Sequence, residues 1–341
     1  MSLARMMRLA VAVTTITAAP GAYSQDAITL VATGSSLPEP LYTAWAEQFH
    51  AEHPGTQLKY LAVGSEESAK KIISGTGDIG GGDAPIPEKL LKGAGTPIIE
   101  LPSVLIGIAI VYNLPNSWNE LRLSGPVLAD IFLGKIKMWN DPAIVLLNPD
   151  LKHAALPIQV IHRTDGKGAN YVLSDYLSKV SPEFLAKAGR GESPKWPVGT
   201  GAARAQDMAE KVQAAEGTIG FTELNLAAQA ALHMARIRNA AGEFVWPTTK
   251  SIAAAAGAGS KVPSDFRISL TNAGGKESYP ISSFTWLYVS TKMSDPGRAR
   301  AVTEFLEWVY TKGQNNAREK GYATLPDELL ARVAAKAATI R

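Results

Sequence analysis

Short apolar runs rich in β-branched residues alternate with segments of helical periodicity, and this alternation limits the chain to the α/β class more tightly than any other feature. Ile28 to Ala32 reads as a strand. Pro38 and Pro40 then open a helix with Leu41, Trp45 and Phe49 on one face, and Pro54-Gly55 stops it. Leu58 to Val63 is the next strand, followed by a helix that Ser65 is placed to cap. Glu66 and Glu67 lie in its first turn, Ala69, Ile72 and Ile73 point inward, and it ends at Gly75. From Val104 to Val111 the chain is apolar except for Gly107 and does not alternate, the pattern of a strand buried on both faces and suited to cross between lobes. Ser124 with Pro126, and Asp141 with Pro142, mark further helix starts. Pro157 to Ile161 leads to Arg163, a polar turn runs from Thr164 to Gly168, and a helix follows with Val172, Leu173, Tyr176 and Leu177 inward. Ile281 to Val289 is a late strand. A helix from about Asp295 buries Phe305, Leu306 and Trp308, and Ser251 to Ser260 is an alanine-rich loop or frayed helix.

A chain of 341 residues with 46% hydrophobic content buries a sizeable core and suggests two domains. A net charge of +3 without a Lys/Arg block leaves no footprint for a nucleic-acid partner, and beyond the N-terminus no run approaches the about 20 apolar residues that span a bilayer. There is no cysteine, which removes disulfides, thiolate metal sites and cysteine nucleophiles. Arg5 and Arg8 precede an apolar run from Leu9 to Ala19, then Pro20, Gly21 and Ala22-Tyr23-Ser24. This reads as a signal peptide over residues 1–24 that is cleaved after Ser24. Its removal brings the mature charge to +1, and without a cysteine the mature chain carries no lipid anchor, so it is expected free in the periplasm.

Three turns repeat one design, a strand leading through small polar residues into a helix: Gly34-Ser35-Ser36, Gly64-Ser65, and Arg163 to Gly168. Unpaired N–H groups and the positive dipole end at such turns favour an anion, and a guanidinium at a strand end grips two of its oxygens. Ser36 and Ser65 alternatively do no more than cap helices. Asp83, in Gly80-Gly81-Gly82-Asp83-Ala84-Pro85, has two readings of its own. It satisfies local N–H groups of a turn, or it accepts a hydrogen from a protonated anion, which admits hydrogen phosphate and repels sulfate.

Several strings, in order, resemble the phosphate-binding proteins of bacterial phosphate-specific ABC transporters. They are Thr33 to Pro38, Gly80 to Pro85, Leu133 to Trp139, Arg163-Thr164-Asp165-Gly166, Trp196 to Gly199, Gly217 to Phe221 and Gly321 to Pro326, and they span nearly the whole mature chain. The resemblance implies a type II periplasmic binding fold, α/β, with two lobes joined by crossover strands and the ligand cleft between them. Lobe I would comprise 25–103 and 284–341, and lobe II 104–283. Carried over, the phosphate contacts are Ser36, Leu37 through its N–H, Ser65, Asp83, Arg163 and Gly168, with Asp165 holding the arginine. Inorganic phosphate and the membrane subunits of an ABC permease are the implied partners, with a monomer and no cofactor or metal.

The chain departs from the family where Ser-Gly-Thr is replaced by Lys167, Gly168 and Ala169, and where Glu66-Glu67 follows Ser65. Each lost hydroxyl costs about 1 kcal/mol, and an inward ammonium returns about 1.5 to 3 kcal/mol. Lys167 is therefore expected to face the ligand or Glu66, or else to stand solvated on its turn. A divergent member for another oxyanion, or a sensor or scavenger without a transport role, is the alternative within the class.

A serine hydrolase is the rival from another class, because Ser68-Ala69-Lys70-Lys71 places Lys71 three residues after Ser68. No Lys-Thr-Gly or Ser-Asp-Asn partner accompanies the pair, and the bland reading is a solvated helical face. Gly75 to Gly80 matches a dinucleotide fingerprint but follows a helix and runs into Pro85, so dinucleotide binding is rejected. His50, His53, His153, His162 and His233 form no cluster with metal spacing.

Overall fold

The computed structural model describes residues 27–115, 120–257 and 262–340. The expected signal peptide over 1–24 lies outside the described residues. Among those residues no helix is long and apolar enough to cross a membrane.

The chain opens with strand Ile28–Gly34, helix Glu39–Glu52 and strand Thr56–Ala62, the two strands pairing in parallel from Ile28↔Thr56 to Gly34↔Ala62. Leu41, Trp45 and Phe49 are fully buried beneath the helix, each stabilising the fold by about 1.5 to 3 kcal/mol. Helix Ser65–Ile73 follows, and then the three-residue strand Gly80–Gly82. That strand lies antiparallel to Trp286–Tyr288, and a Cβ on Gly82 would collide with the Tyr288 hydroxyl. The glycine run thus lets two backbones and an aromatic ring crowd together just before Asp83.

Strand Ile98–Asn113 is 16 residues long and buried almost throughout, extending the apolar run expected from Val104 to Val111 at both ends. Its first part pairs antiparallel with Ser282–Ser290, and its last six residues pair antiparallel with Thr218–Glu223. One strand therefore serves two halves of the molecule. Strand Gln159–Arg163 lies parallel to Thr218–Glu223 and Thr200–Ala202, and helix Gly168–Val180 begins five residues after Arg163. A Cβ at Gly107 would strike Ile252 of helix Thr249–Gly257, which accounts for the single glycine in the apolar run.

The C-terminal chain returns to the first half. Asp295 caps helix Pro296–Trp308, accepting from the N–H groups of Gly297 at 2.8 Å and Arg298 at 3.1 Å. Arg298 reaches back to Asp78 at 2.8 and 2.5 Å and donates to the Thr29 carbonyl at 3.0 Å. Asp78, in the stretch that mimics a dinucleotide fingerprint, is thus a structural anchor. The result is a two-lobed α/β protein with strand ends and helix starts gathered where the lobes meet.

Candidate functional site

The first-lobe turns are tied to one another by hydrogen bonds. Ser35 is fully buried, donates its hydroxyl to Asp83 Oδ2 and accepts from the Leu37 N–H at 3.1 Å. Tyr60 donates to the Ser35 carbonyl at 2.6 Å, and the Asp83 N–H donates to the Ser65 hydroxyl at 3.3 Å. From below, Ser283 donates to the Asp83 carbonyl at 3.2 Å and Tyr288 to that of Ala84 at 2.5 Å. Asp83 is held from every side, yet its Oδ1 is buried without a hydrogen-bond partner among the described residues. Burial pushes the Asp83 carboxyl up to about 8. The Ser35 hydrogen bond opposes this, and the charges of Glu192 and Glu223 reinforce it.

Across the lobe junction, the start of helix Gly168–Val180 abuts this carboxyl. A Cβ at Gly168 would overlap Asp83 Oδ2, so only glycine lets the helix end come this close. Arg163, at the end of its strand, is 3% exposed. Its Nη2 is paired with Asp165 and its Nη1 stands 3.6 Å from Glu223 Oε1, while Nε and Nη1 donate no hydrogen bond among the described residues. Glu223 is itself steadied by the Thr222 hydroxyl at 2.6 Å. A buried carboxyl with an unused oxygen thus meets a helix N-terminus across the junction, and Glu223, which stands beside a buried guanidinium with unused donors, is near enough for its charge to reach that carboxyl. The set suits an oxyanion that carries one hydrogen.

The sequence-derived residues fall as follows. Gly168 meets Asp83, and Arg163 pairs with Asp165. Leu37 is buried with its N–H turned to Ser35. Ser36 is half-buried and, with Leu37, Glu223, Asn225 and Tyr322, lines a cavity of about 450 Å³ at the mouth of this region. Neither serine caps its helix: the N-cap residues are Pro38 and Gly64, the latter at φ +96°, and Ser65 is the first helical residue. Lys167 is half-buried at the N-cap of its helix and makes no ion pair or side-chain hydrogen bond among the described residues. It forms no ion pair with Glu66, which pairs with Lys70 at 2.8 Å along its own helix.

Ser68 is not on a solvated face. It is fully buried, donates to the Thr33 carbonyl at 2.8 Å and accepts from the Gly81 N–H at 2.9 Å, while Lys71 turns outward to Glu67 at 3.6 Å. The pair is a structural clamp and a surface charge, not a nucleophile and its base. Residues missed by the sequence reading are Ser35, Tyr60, Glu192 and Glu223. Only Ser35 carried a signal, its place inside the Gly34-Ser35-Ser36 turn.

A family model for the PBP superfamily domain matches residues 17–312. The phosphate-binding protein PstS of Xylella fastidiosa is 36% identical over 321 residues, covering 94% of this chain and 87% of that protein. The PstS of Pasteurella multocida is 36% identical over 317 residues, covering 92% and 91%. The chain belongs to the PstS family of phosphate-binding proteins. A putative phosphate ABC transporter substrate-binding protein from Clostridium perfringens, solved with bound phosphate, superposes with a TM-score of 0.63 at 16% identity, covering 87% of this chain and all of that one. At that identity the likeness speaks for the fold, the two-lobed type II arrangement expected of a PstS protein.

Proposed function

We propose that this protein binds hydrogen phosphate between its lobes and hands it to the membrane subunits of an ABC permease. The observation that carries the reading is the glycine-only approach of helix Gly168–Val180 to Asp83, whose Oδ1 is buried and unused among the described residues, five residues after Arg163, whose Nε and Nη1 are buried and donate nothing among those residues. Membership of the PstS family supports the choice of phosphate among tetrahedral anions. Arg163 would grip two ligand oxygens, and the Gly168 N–H with the Ser36 hydroxyl would take others, the Leu37 N–H being engaged by Ser35. Asp83 would share the one proton of the pair it forms with the ligand. Micromolar affinity needs about 8 kcal/mol, within reach of a few charge-assisted bonds in a closed cleft.

In this reading residues 1–24 are an export signal and the mature monomer works in the periplasm without a lipid anchor. Residues 25–103 with 284–341 close against residues 104–283. Titration calorimetry of the purified mature chain with phosphate, arsenate and sulfate tests it. Above about pH 8, where Asp83 is ionised, saturable binding of phosphate and arsenate, with sulfate far weaker, is expected. No heat and no thermal stabilisation by phosphate would end the proposal.

A further inference from the structure

A cavity of about 590 Å³ opens beside Ser65, lined from the first lobe by Ser65, Glu66 and Ala84 and from the second by Gly166, Tyr171 and Glu192. The loop carrying Glu192 is fixed rather than loose. The Gly191 N–H donates to the Ser174 hydroxyl at 3.0 Å, that hydroxyl donates to the Gly191 carbonyl at 3.1 Å, and Arg190 pairs with the buried Asp175 at 3.1 Å. So held, Glu192 lines the same cavity as the first turn of helix Ser65–Ile73 on the opposite lobe. Burial raises its pKa, and hydrogen bonding from the Ser65 hydroxyl and from the N–H groups of Ser65 and Glu66 works the other way. Neither nearby cation neutralises it, since Arg190 is engaged with Asp175 and Lys70 with Glu66. Its charge reaches far enough to raise the Asp83 carboxyl.

Ser65 owns one hydroxyl proton and accepts from the Asp83 N–H. A proton directed at Glu192 is not available to a ligand oxygen. We propose that Glu192 is an affinity-setting residue of the cleft, a tethered anion from the second lobe that competes with the bound oxyanion for the Ser65 hydroxyl and the helix N-terminal N–H groups. The inference rests on the phosphate reading of the cleft. Ser65 then joins the lobes through Glu192 instead of serving the ligand directly, and the cleft gives up affinity that removing one carboxylate would restore.

Two measurements on the full mature chain test this separately from the phosphate reading. Hydrogen exchange without phosphate reads the Ser65 and Glu66 amides, which should exchange faster in Glu192→Ala while the strand amides of Ile98–Asn113 stay protected. Calorimetry with inorganic phosphate compares wild type, Glu192→Ala, Glu192→Gln, Ser65→Ala and the Ser65→Ala/Glu192→Ala double variant. Glu192→Ala should bind roughly tenfold tighter, and Glu192→Gln, which keeps an acceptor but no charge, should fall between it and wild type. Ser65→Ala should change affinity by about twofold or less alone and by roughly tenfold in the Glu192→Ala background. Unchanged amide exchange, weaker binding by Glu192→Ala, or the same Ser65→Ala loss in both backgrounds would overturn the proposal. If no variant binds phosphate, the phosphate reading fails while the exchange data still decide whether Glu192 holds the helix end.

Discussion

The two sides of the cleft are built on different physical principles. On the first lobe, Ser35, Tyr60, Ser65 and Asp83 are cross-linked by hydrogen bonds into one frame, and the glycines of 80–82 let that frame sit on Trp286 and Tyr288. On the second lobe the turn from Arg163 to Gly168 holds a buried guanidinium steadied by Asp165 and Glu223 and a lysine with no partner among the described residues. The first side is pre-formed geometry that reads a proton, and the second is mostly charge. The comparison teaches that Lys167 and Ala169 fall on the side where charge dominates, whereas the frame around Asp83 tolerates little change.

The sharpest way to break the comparison is to remove the charge side. Arg163→Ala should weaken phosphate binding by two to three orders of magnitude in calorimetry, because the remaining carboxylates Asp165 and Glu223 are then left without their cation. Gly168→Ala comes next. Its Cβ would force helix Gly168–Val180 away from Asp83, so affinity should fall at least about thirtyfold while the melting temperature changes little.

Selectivity tests the geometry side. With its carboxyl near 8, Asp83 at lower pH carries a proton that it can donate to either anion, and above that pH it demands a proton from the ligand. The phosphate-to-sulfate affinity ratio should therefore rise as pH increases through about 8, and Asp83→Asn should flatten it. Stability moves in the opposite direction over the same range. Asp83's folded pKa lies above its unfolded value, so its favourable contribution is complete below about pH 4 and is lost as pH rises through about 8. Asp83→Asn should remove that pH slope from denaturant unfolding. The smallest effect is expected at Lys167, where Lys167→Ala should weaken phosphate binding by roughly fivefold at low salt and less at high salt. A loss that ignores salt would assign Lys167 a packing role instead.

The turns that bear the site were legible because glycine and serine punctuate strand-to-helix corners, and the buried strand and helix faces followed from apolar spacing. Asp83, Arg163 and Gly168 were legible for the same reason, with the resemblance supplying their common purpose. Ser35 was not, since nothing local says which serine of a pair turns inward. Glu192 and Glu223 were not, because each meets its partner only after lobes far apart in sequence pack together. Ser68 was misread as solvated because the helix is short and its buried stripe, Ser65, Ser68, Ala69 and Ile72, is half polar. Apolar periodicity alone cannot see a polar residue buried to serve backbone groups.

A crystal structure of the mature protein grown with phosphate addresses the central claim most directly. The account predicts one phosphate within hydrogen-bonding distance of both Arg163 Nη1 and Asp83 Oδ1, with Gly168 at its edge. Phosphate bound elsewhere, or touching Arg163 while Asp83 remains apart from it, would contradict the account.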